Sequence, residues 1–479
     1  MRTAYSVETV RAAEQRLMAR LPEGALMQRA AAGLAVACAQ LLGRVYGSRV
    51  VLLVGSGDNG GDALYAGARL ARRGAAVTAV LLAPGRTHAD GLAALLRAGG
   101  RTVAVADAEE LVLGADLLVD GIVGIGGRGG LRPDAARLAA LAGESRGLVV
   151  AVDLPSGVEA DSGQVLGAAV RADLTVTFGA HKPGLLIDPA REYAGSVRFV
   201  DIGLDAELPS GGAALEALQH ADVAALLPVP GAESDKYRRG VVGIAAGSGR
   251  YPGAAVLAVA GALRGGAGAV RYVGPAADAV IARFPEVLVS EGGPLKAGRV
   301  QAWVVGPGAG DDASAVGEVV TADVPVLIDA DGLRLVDAGA VRGRGAPTLM
   351  TPHAGEAAAL LGVARGEVEG ARLESVRELA GRYGATVLLK GSTTLVADSG
   401  GGVVRVNSTG TGWLATAGSG DVLSGLAGSL LAAGLSAFDA GSVGAYLHGL
   451  AGRLAAEGAP VGAHDVAEGV RGAWRDVVG

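Results

Sequence analysis

Apolar residues recur along this chain in short unbroken runs, and each run is followed by a polar or glycine-rich stretch. Arg49-Val50-Val51-Leu52-Leu53-Val54 is one of them. A run this short and this rich in branched residues reads as a strand buried on both faces, as in a parallel sheet. Residues 6–21 instead repeat at helical spacing, with Val7, Val10, Ala13, Leu17 and Leu21 on one side, Ser6 as N-cap and Glu8 in the first turn. Residues 25–42 predict a second, mostly buried helix. After Val54 the turn Gly55-Ser56-Gly57-Asp58-Asn59-Gly60-Gly61-Asp62-Ala63 leads into a helix predicted to reach Gly74, and residues 76–82 supply the next strand. Strand, glycine turn, helix and strand form a right-handed crossover unit.

The alternation continues with predicted strands at 115–119, 147–152 and 174–178. It pauses at Leu208-Pro209-Ser210-Gly211-Gly212, the best candidate linker. It then restarts with a strand at 241–245, a helix at 256–263, and strands ending at Val305, Ile328, Met350 and Leu389. The predicted class is α/β, with two three-layer αβα domains at residues 1–212 and 216–479. A chain of 479 residues is too long for one hydrophobic core, which agrees.

Composition narrows the reading. Half of the residues are hydrophobic and 19% are charged, a folded rather than a disordered balance. The longest uncharged run, 422–438, is too short and too glycine-broken for a membrane span, so no membrane segment is expected. No signal peptide is visible. A lone cysteine, Cys38, excludes a disulfide framework and points to a reducing, cytoplasmic setting. A net charge of −6 with no basic block argues against nucleic acid as a partner. Glycine, at 80 of 479 residues, far exceeds the roughly 7% typical of proteins. Patterns fixed by glycine alone therefore arise by chance, and only those with added polar residues count.

Several meet that standard. In an open parallel sheet, ligands collect at the carboxyl ends of the strands. Four apolar runs of the first half end in Asp58-Asn59-Gly60-Gly61-Asp62, in Asp120 followed by Gly124-Ile125-Gly126-Gly127-Arg128-Gly129-Gly130, in Asp153-Leu154-Pro155-Ser156-Gly157, and in Lys182-Pro183-Gly184. In the second half, runs end in Gly306-Pro307-Gly308, Asp329-Ala330-Asp331, Thr351-Pro352-His353-Ala354-Gly355-Glu356 and Lys390-Gly391-Ser392-Thr393-Thr394. Finally Gly418-Ser419-Gly420-Asp421 opens an uncharged helical run. Free backbone N–H groups at a helix start suit an anion, and a carboxylate beside a bound phosphate is a poor ligand but a good base.

The first set resembles the NAD(P)H-hydrate epimerase domain family over residues 1–212. The resemblance implies a Rossmann-like domain that interconverts the two C6 epimers of hydrated NAD(P)H. Matching positions imply that Asp58, Asn59, Gly60, Gly61, Asp62 and the loop Gly124 to Gly130 hold the substrate. They also imply that Asn59, Asp120 and Ser156 hold K+, and that Asp153 contacts the substrate as acid/base. Two departures stand out: Ala63 where the family usually has glycine, and an unusually bare loop at Gly121 and Gly126-Gly127.

The second set, with Lys236-Tyr237-Arg238-Arg239-Gly240, resembles the ADP/ATP-dependent NAD(P)H-hydrate dehydratases of the ribokinase-like superfamily over residues 216–479. That implies phosphorylation of the C6 hydroxyl, loss of phosphate and recovery of NAD(P)H. Asp421 would be the base, and the N–H groups of Gly418, Ser419 and Gly420 an anion hole. Lys390, Gly391, Ser392, Thr393, Thr394 and Gly420 would contact the nucleotide, with Mg2+ accompanying ADP or ATP. Gly253-Ala254, Gly308, His353 and Asp421 would contact the hydrate. Thr411-Gly412-Trp413-Leu414 departs from the family's asparagine-proline-glycine-methionine stretch. The implied partners are NADHX and NADPHX with ADP or ATP, the fusion of two domains leans toward ADP, and a homo-oligomer is a family expectation. The alternative is a ribokinase-like small-molecule kinase with a non-catalytic N-terminal ligand-binding domain.

Overall fold

The computed structural model describes all residues, Met1–Gly479. Two compact units divide the chain: Thr3–Ala214, and Leu215–Gly479 together with Met1–Arg2. The boundary falls just past the glycine-rich linker, and the first two residues group with the second unit.

The N-terminal unit is built on seven parallel strands in the order Arg101–Ala104, Ala76–Leu81, Arg49–Val54, Leu117–Gly121, Leu148–Val152, Leu174–Phe178 and Ser196–Val200. The order reverses between Arg49–Val54 and Leu117–Gly121, which is where a doubly wound sheet opens a ligand crevice. The four strands whose loops carried candidate chemistry lie side by side, so those loops meet at one edge. Helices Ala25–Leu42 and Asp58–Arg72 pack on one face of the sheet, and Pro133–Glu144 packs on the other. Ala25–Leu42 is long and apolar enough to cross a membrane by composition. Its Ala30, Leu34, Ala37 and Cys38 are instead buried in the core of this unit. The first helix, Val7–Met18, starts as its sequence predicts, with the Ser6 hydroxyl accepting from the Thr9 N–H at 3.2 Å.

The C-terminal unit repeats the same winding. Its strands run Leu215–Ala217, Val404–Asn407, Thr394–Ala397, Thr386–Leu389, Thr348–Met350, Val326–Ile328, Ala302–Val305, Val241–Ala245, Ala269–Val273 and Leu288–Val289. The segment from Thr386–Leu389 to Leu288–Val289 is parallel and reverses its order between Val241–Ala245 and Ala302–Val305. Thr394–Ala397 and Val404–Asn407 add an antiparallel extension. Short strands such as Val404–Asn407 and Leu288–Val289 have too few apolar residues to stand out in the sequence.

The glycines of helix Ser419–Ala432 have a packing purpose. A Cβ at Gly425 would lie 1.8 Å from the Ala258 carbonyl oxygen, and one at Gly261 would lie 2.1 Å from that of Val422. Helices Ser419–Ala432 and Pro252–Arg264 therefore touch backbone to backbone. Residues Val422 to Ala432 are all buried, while the amino end, Ser419 to Asp421, is half-buried.

Candidate active sites

In the N-terminal unit the site begins with Asp153, directly after strand Leu148–Val152. Its backbone is left-handed, at φ +65°, a conformation that a non-glycine residue keeps only where its surroundings enforce it. The enforcement is visible. One carboxylate oxygen accepts from the Thr177 hydroxyl at 3.0 Å, from the Phe178 N–H at 3.1 Å and from the Lys182 ammonium group. Lys182 is only 1% exposed and also donates to the Thr177 hydroxyl at 3.1 Å and the Phe178 carbonyl at 3.2 Å. The Lys182-Pro183-Gly184 turn thus places a fully desolvated cation on Asp153. The sequence marked the turn without assigning that role.

Two further acids surround the pair. Asp62 is buried, and one of its oxygens has no hydrogen-bond partner. Burial, then the carboxylates of Asp153, Asp58 and Glu14, raise its pKa well above the ordinary range. Glu14, on helix Val7–Met18, is also raised, by burial first and by Asp153 and Asp58, against the lowering pull of Lys182. No motif in the sequence marks Glu14; the packing of helix Val7–Met18 brings it here.

Asp120 and Ser156 are brought together. The Ser156 hydroxyl donates to one Asp120 oxygen at 2.7 Å and the Ser156 N–H to the other at 2.8 Å. Burial pushes Asp120 up to about 6, opposed by these hydrogen bonds. Asn59 donates to the Val152 carbonyl, and its side-chain oxygen lies 2.2 Å from where a Cβ at Gly124 would be. The bare second loop also answers the Ala63 departure: a Cβ at Gly121 would fall 2.9 Å from the Ala63 Cβ and 2.8 Å from the Asn59 carbonyl oxygen. The methyl gained at Ala63 fits because Gly121 lacks one.

In the C-terminal unit Asp421 lies in the first turn of Ser419–Ala432. Near it, the Lys390 ammonium donates to Asp329 at 2.7 Å and stands 3.7 Å from Glu356. The second Asp329 oxygen accepts from the Ser424 hydroxyl at 2.6 Å. Asp421 is pushed up to about 7, by burial first and then by Asp329, with Lys390 opposing. Lys390 itself is raised: burial would lower it, but Asp329 and Glu356 outweigh burial. The arrangement sets a carboxyl that changes protonation near neutrality beside a lysine that stays charged.

The loop before the helix is braced. Gly418 is left-handed at φ +88°. The Ser419 hydroxyl donates to the Leu414 carbonyl at 2.7 Å, and its N–H faces the Thr416 carbonyl at 3.4 Å, a long contact. The Ser419 carbonyl accepts from His448 Nε2 at 2.9 Å. Burial, and secondarily the Lys390 charge, lower His448 to about 4, so the ring is neutral and serves as a fixed donor. Arg372 holds the Lys390–Thr394 loop in the same manner, donating to the carbonyls of Lys390 at 3.1 Å and Thr393 at 2.9 Å. Neither His448 nor Arg372 has a local motif, and both act from helices distant in sequence.

His353 is an N-cap: its Nδ1 accepts from the Gly355 and Glu356 N–H groups at 3.0 and 3.1 Å, while Glu356 caps back onto the His353 N–H at 2.7 Å. The rest of the ring is exposed. Gly308 sits against Ala254, where a Cβ would meet the Ala254 methyl at 2.6 Å. Ala254 and Gly308 are therefore packed against each other.

Two family models divide the chain as the two sites do. One, described as YjeF-related protein N-terminus, matches residues 23–184, and the other, NAD(P)H-hydrate dehydratase, matches residues 242–468. A bifunctional NAD(P)H-hydrate repair enzyme of Mycobacterium leprae is 50% identical over 95% of this chain and 94% of its own length. The chain belongs to the bifunctional NAD(P)H-hydrate repair enzyme family. A member of that repair family from Mycobacterium tuberculosis is 51% identical over 92% of this chain and 91% of its own. Among solved structures, an ADP/ATP-dependent NAD(P)H-hydrate dehydratase from Bacillus subtilis, co-crystallised with ATP and Mg2+, covers 55% of this chain and 99% of its own, at 30% identity and a TM-score of 0.51. The repair family thus accounts for both units, and the Bacillus protein corresponds to one of them.

Proposed function

We propose that this protein restores hydrated NAD(P)H, with an epimerase in residues 1–212 and a nucleotide-dependent dehydratase in residues 216–479. The observation that supports this reading best is Asp421, poised near neutrality at the amino end of a buried helix and next to Lys390. A C6 hydroxyl is a poor leaving group. Asp421 takes its proton, and the oxygen attacks the terminal phosphorus of ADP or ATP, releasing AMP or ADP. Lys390 and the N–H groups at Gly418, Ser419 and Gly420 offset the charge on the transferring phosphoryl group. Phosphate then departs from C6 and a proton from C5, which regenerates NAD(P)H. Mg2+ would accompany the nucleotide, as in the Bacillus crystals. Lys390, Gly391, Ser392, Thr393 and Thr394 hold the nucleotide, while Ala254, Gly308 and His353 face the hydrate.

In the other unit Asp153 acts as the acid/base of C6 epimerisation, with Lys182 holding its carboxylate in place. The loops Asp58 to Asp62 and Gly124 to Gly130 hold the substrate. Asn59, Asp120 and Ser156 form an all-oxygen donor set suited to a hard cation. Asp120 is buried, with no basic side chain among its hydrogen-bond partners. K+ at this position would supply that countercharge. The lone, buried Cys38 fits a cytoplasmic location.

Racemic hydrated NADH incubated with ADP or ATP tests both halves. Full recovery of NADH absorbance is expected. Recovery of one epimer only, with the other following the spontaneous rate, would refute the epimerase, and no recovery would refute the dehydratase.

A further inference from the structure

A cavity of about 660 Å³ lies at the strand ends of the N-terminal unit. It reaches from the Gly55-Ser56 turn and the segment after strand Ala76–Leu81 to the Gly126–Gly130 loop and the residues following Ser156. In a dinucleotide-binding sheet wound in this order, the end of the second strand faces the adenosine ribose. An acidic residue there takes the 2′-hydroxyl, whereas an arginine takes a 2′-phosphate. Here the second strand is followed by Leu82-Ala83-Pro84-Gly85-Arg86-Thr87-His88, which contains no carboxylate.

Arg86 lines the cavity, and so do Arg128 and Arg132. None of the three guanidinium groups forms an ion pair or hydrogen bond within the protein. Two acids share the lining, Asp134 and Glu159, so the three guanidinium groups outnumber the carboxylates and leave the opening net positive. Three unpaired planar cations around one opening, beside loops that would hold the rest of a dinucleotide, suit a phosphate dianion better than a hydroxyl.

We propose that Arg86, supported by Arg128 and Arg132, recognises the adenosine 2′-phosphate, so that the N-terminal site prefers hydrated NADPH to hydrated NADH. This specificity rests on reading the unit as an epimerase. The test uses the full chain carrying Asp421→Ala, so that the dehydratase does not consume the product. R-to-S interconversion of each hydrate is followed by chiral chromatography, and the spontaneous rate is subtracted. The expected result is a kcat/KM at least tenfold higher for hydrated NADPH. Adding Arg86→Ala should lower that value at least tenfold more than the value for hydrated NADH, and Arg86→Lys should recover part of the difference. Equal losses on the two hydrates, or no loss, would overturn the inference.

Calorimetric titration with adenosine 2′,5′-bisphosphate and with 5′-AMP gives a readout independent of turnover. Arg86→Ala should weaken the bisphosphate at least tenfold more than the monophosphate. That result without any interconversion would refute the epimerase reading while leaving the 2′-phosphate site standing. An equal effect on both ligands would remove the site as well.

Discussion

If Asp421 is the base proposed for the dehydratase, the acid limb of the reaction follows its titration, and after burial Asp329 is the strongest influence raising it. With Asp421 pushed up to about 7, about a tenth of the base is ionised at pH 6 and about nine-tenths at pH 8. The kcat/KM for the S hydrate should rise roughly tenfold over that interval, because the ionised form is the proposed base. Asp329→Asn removes a carboxylate that raises Asp421. It also takes from Lys390 its 2.7 Å partner, leaving the lysine charge freer to act on Asp421. Both changes push Asp421 downward. Burial, the largest cause of the upward shift, stays in place, so Asp421 should remain above the ordinary carboxylate range.

The limb should therefore move acidward, and the pH 6 activity as a fraction of its own plateau should increase severalfold, even if the plateau falls. The assay is the absorbance gain of NADH from pH 5.5 to 8.5 with saturating nucleotide, comparing the two proteins at each pH. Titration of the nucleotide phosphates is common to both and cancels. An acid limb that stays in place or moves to higher pH in Asp329→Asn would refute this account of Asp421, as would a flat wild-type profile between pH 6 and 8.

Three further outcomes test other parts of the structure. Lys182→Met strands Asp153 without its buried counterion, and should lower stability by about 3–5 kcal/mol in urea unfolding followed by circular dichroism; a loss under about 1 kcal/mol would show that the pair is not desolvated as described. Gly425→Ala places a methyl against the Ala258 carbonyl and should cost at least about 1–3 kcal/mol, read as a lower Tm, whereas the exposed-loop change Gly401→Asn should leave Tm nearly unchanged. Asp153→Ala should slow use of the R hydrate to the spontaneous epimerisation rate while leaving turnover of the S hydrate intact; R-hydrate use at the wild-type rate would remove Asp153 from the mechanism.

Much of this protein was legible in its sequence because parallel strands buried on both faces must be continuously apolar, and because the loops at their carboxyl ends must be polar to meet a ligand. Those two requirements located Arg49–Val54, Leu148–Val152, Leu174–Phe178 and Val326–Ile328 and most of the polar groups at their ends. The family resemblance then attached roles to Asp153 and Asp421. What the sequence could not state was which charges face each other. Lys182 meets Asp153 only because two adjacent strands bring their ends together. Lys390 meets Asp329 across 61 residues, and the Ser419 carbonyl meets a histidine 29 residues away on another helix. Local spacing does not encode such pairings, and burial decides their consequence: an aspartate with an ordinary pKa in water becomes a base near neutrality only where packing removes the water and sets a second carboxylate beside it. The complementarity of Ala63 and Gly121 has the same origin. Each looks like a departure in the linear chain, and tertiary structure makes them one fitted contact.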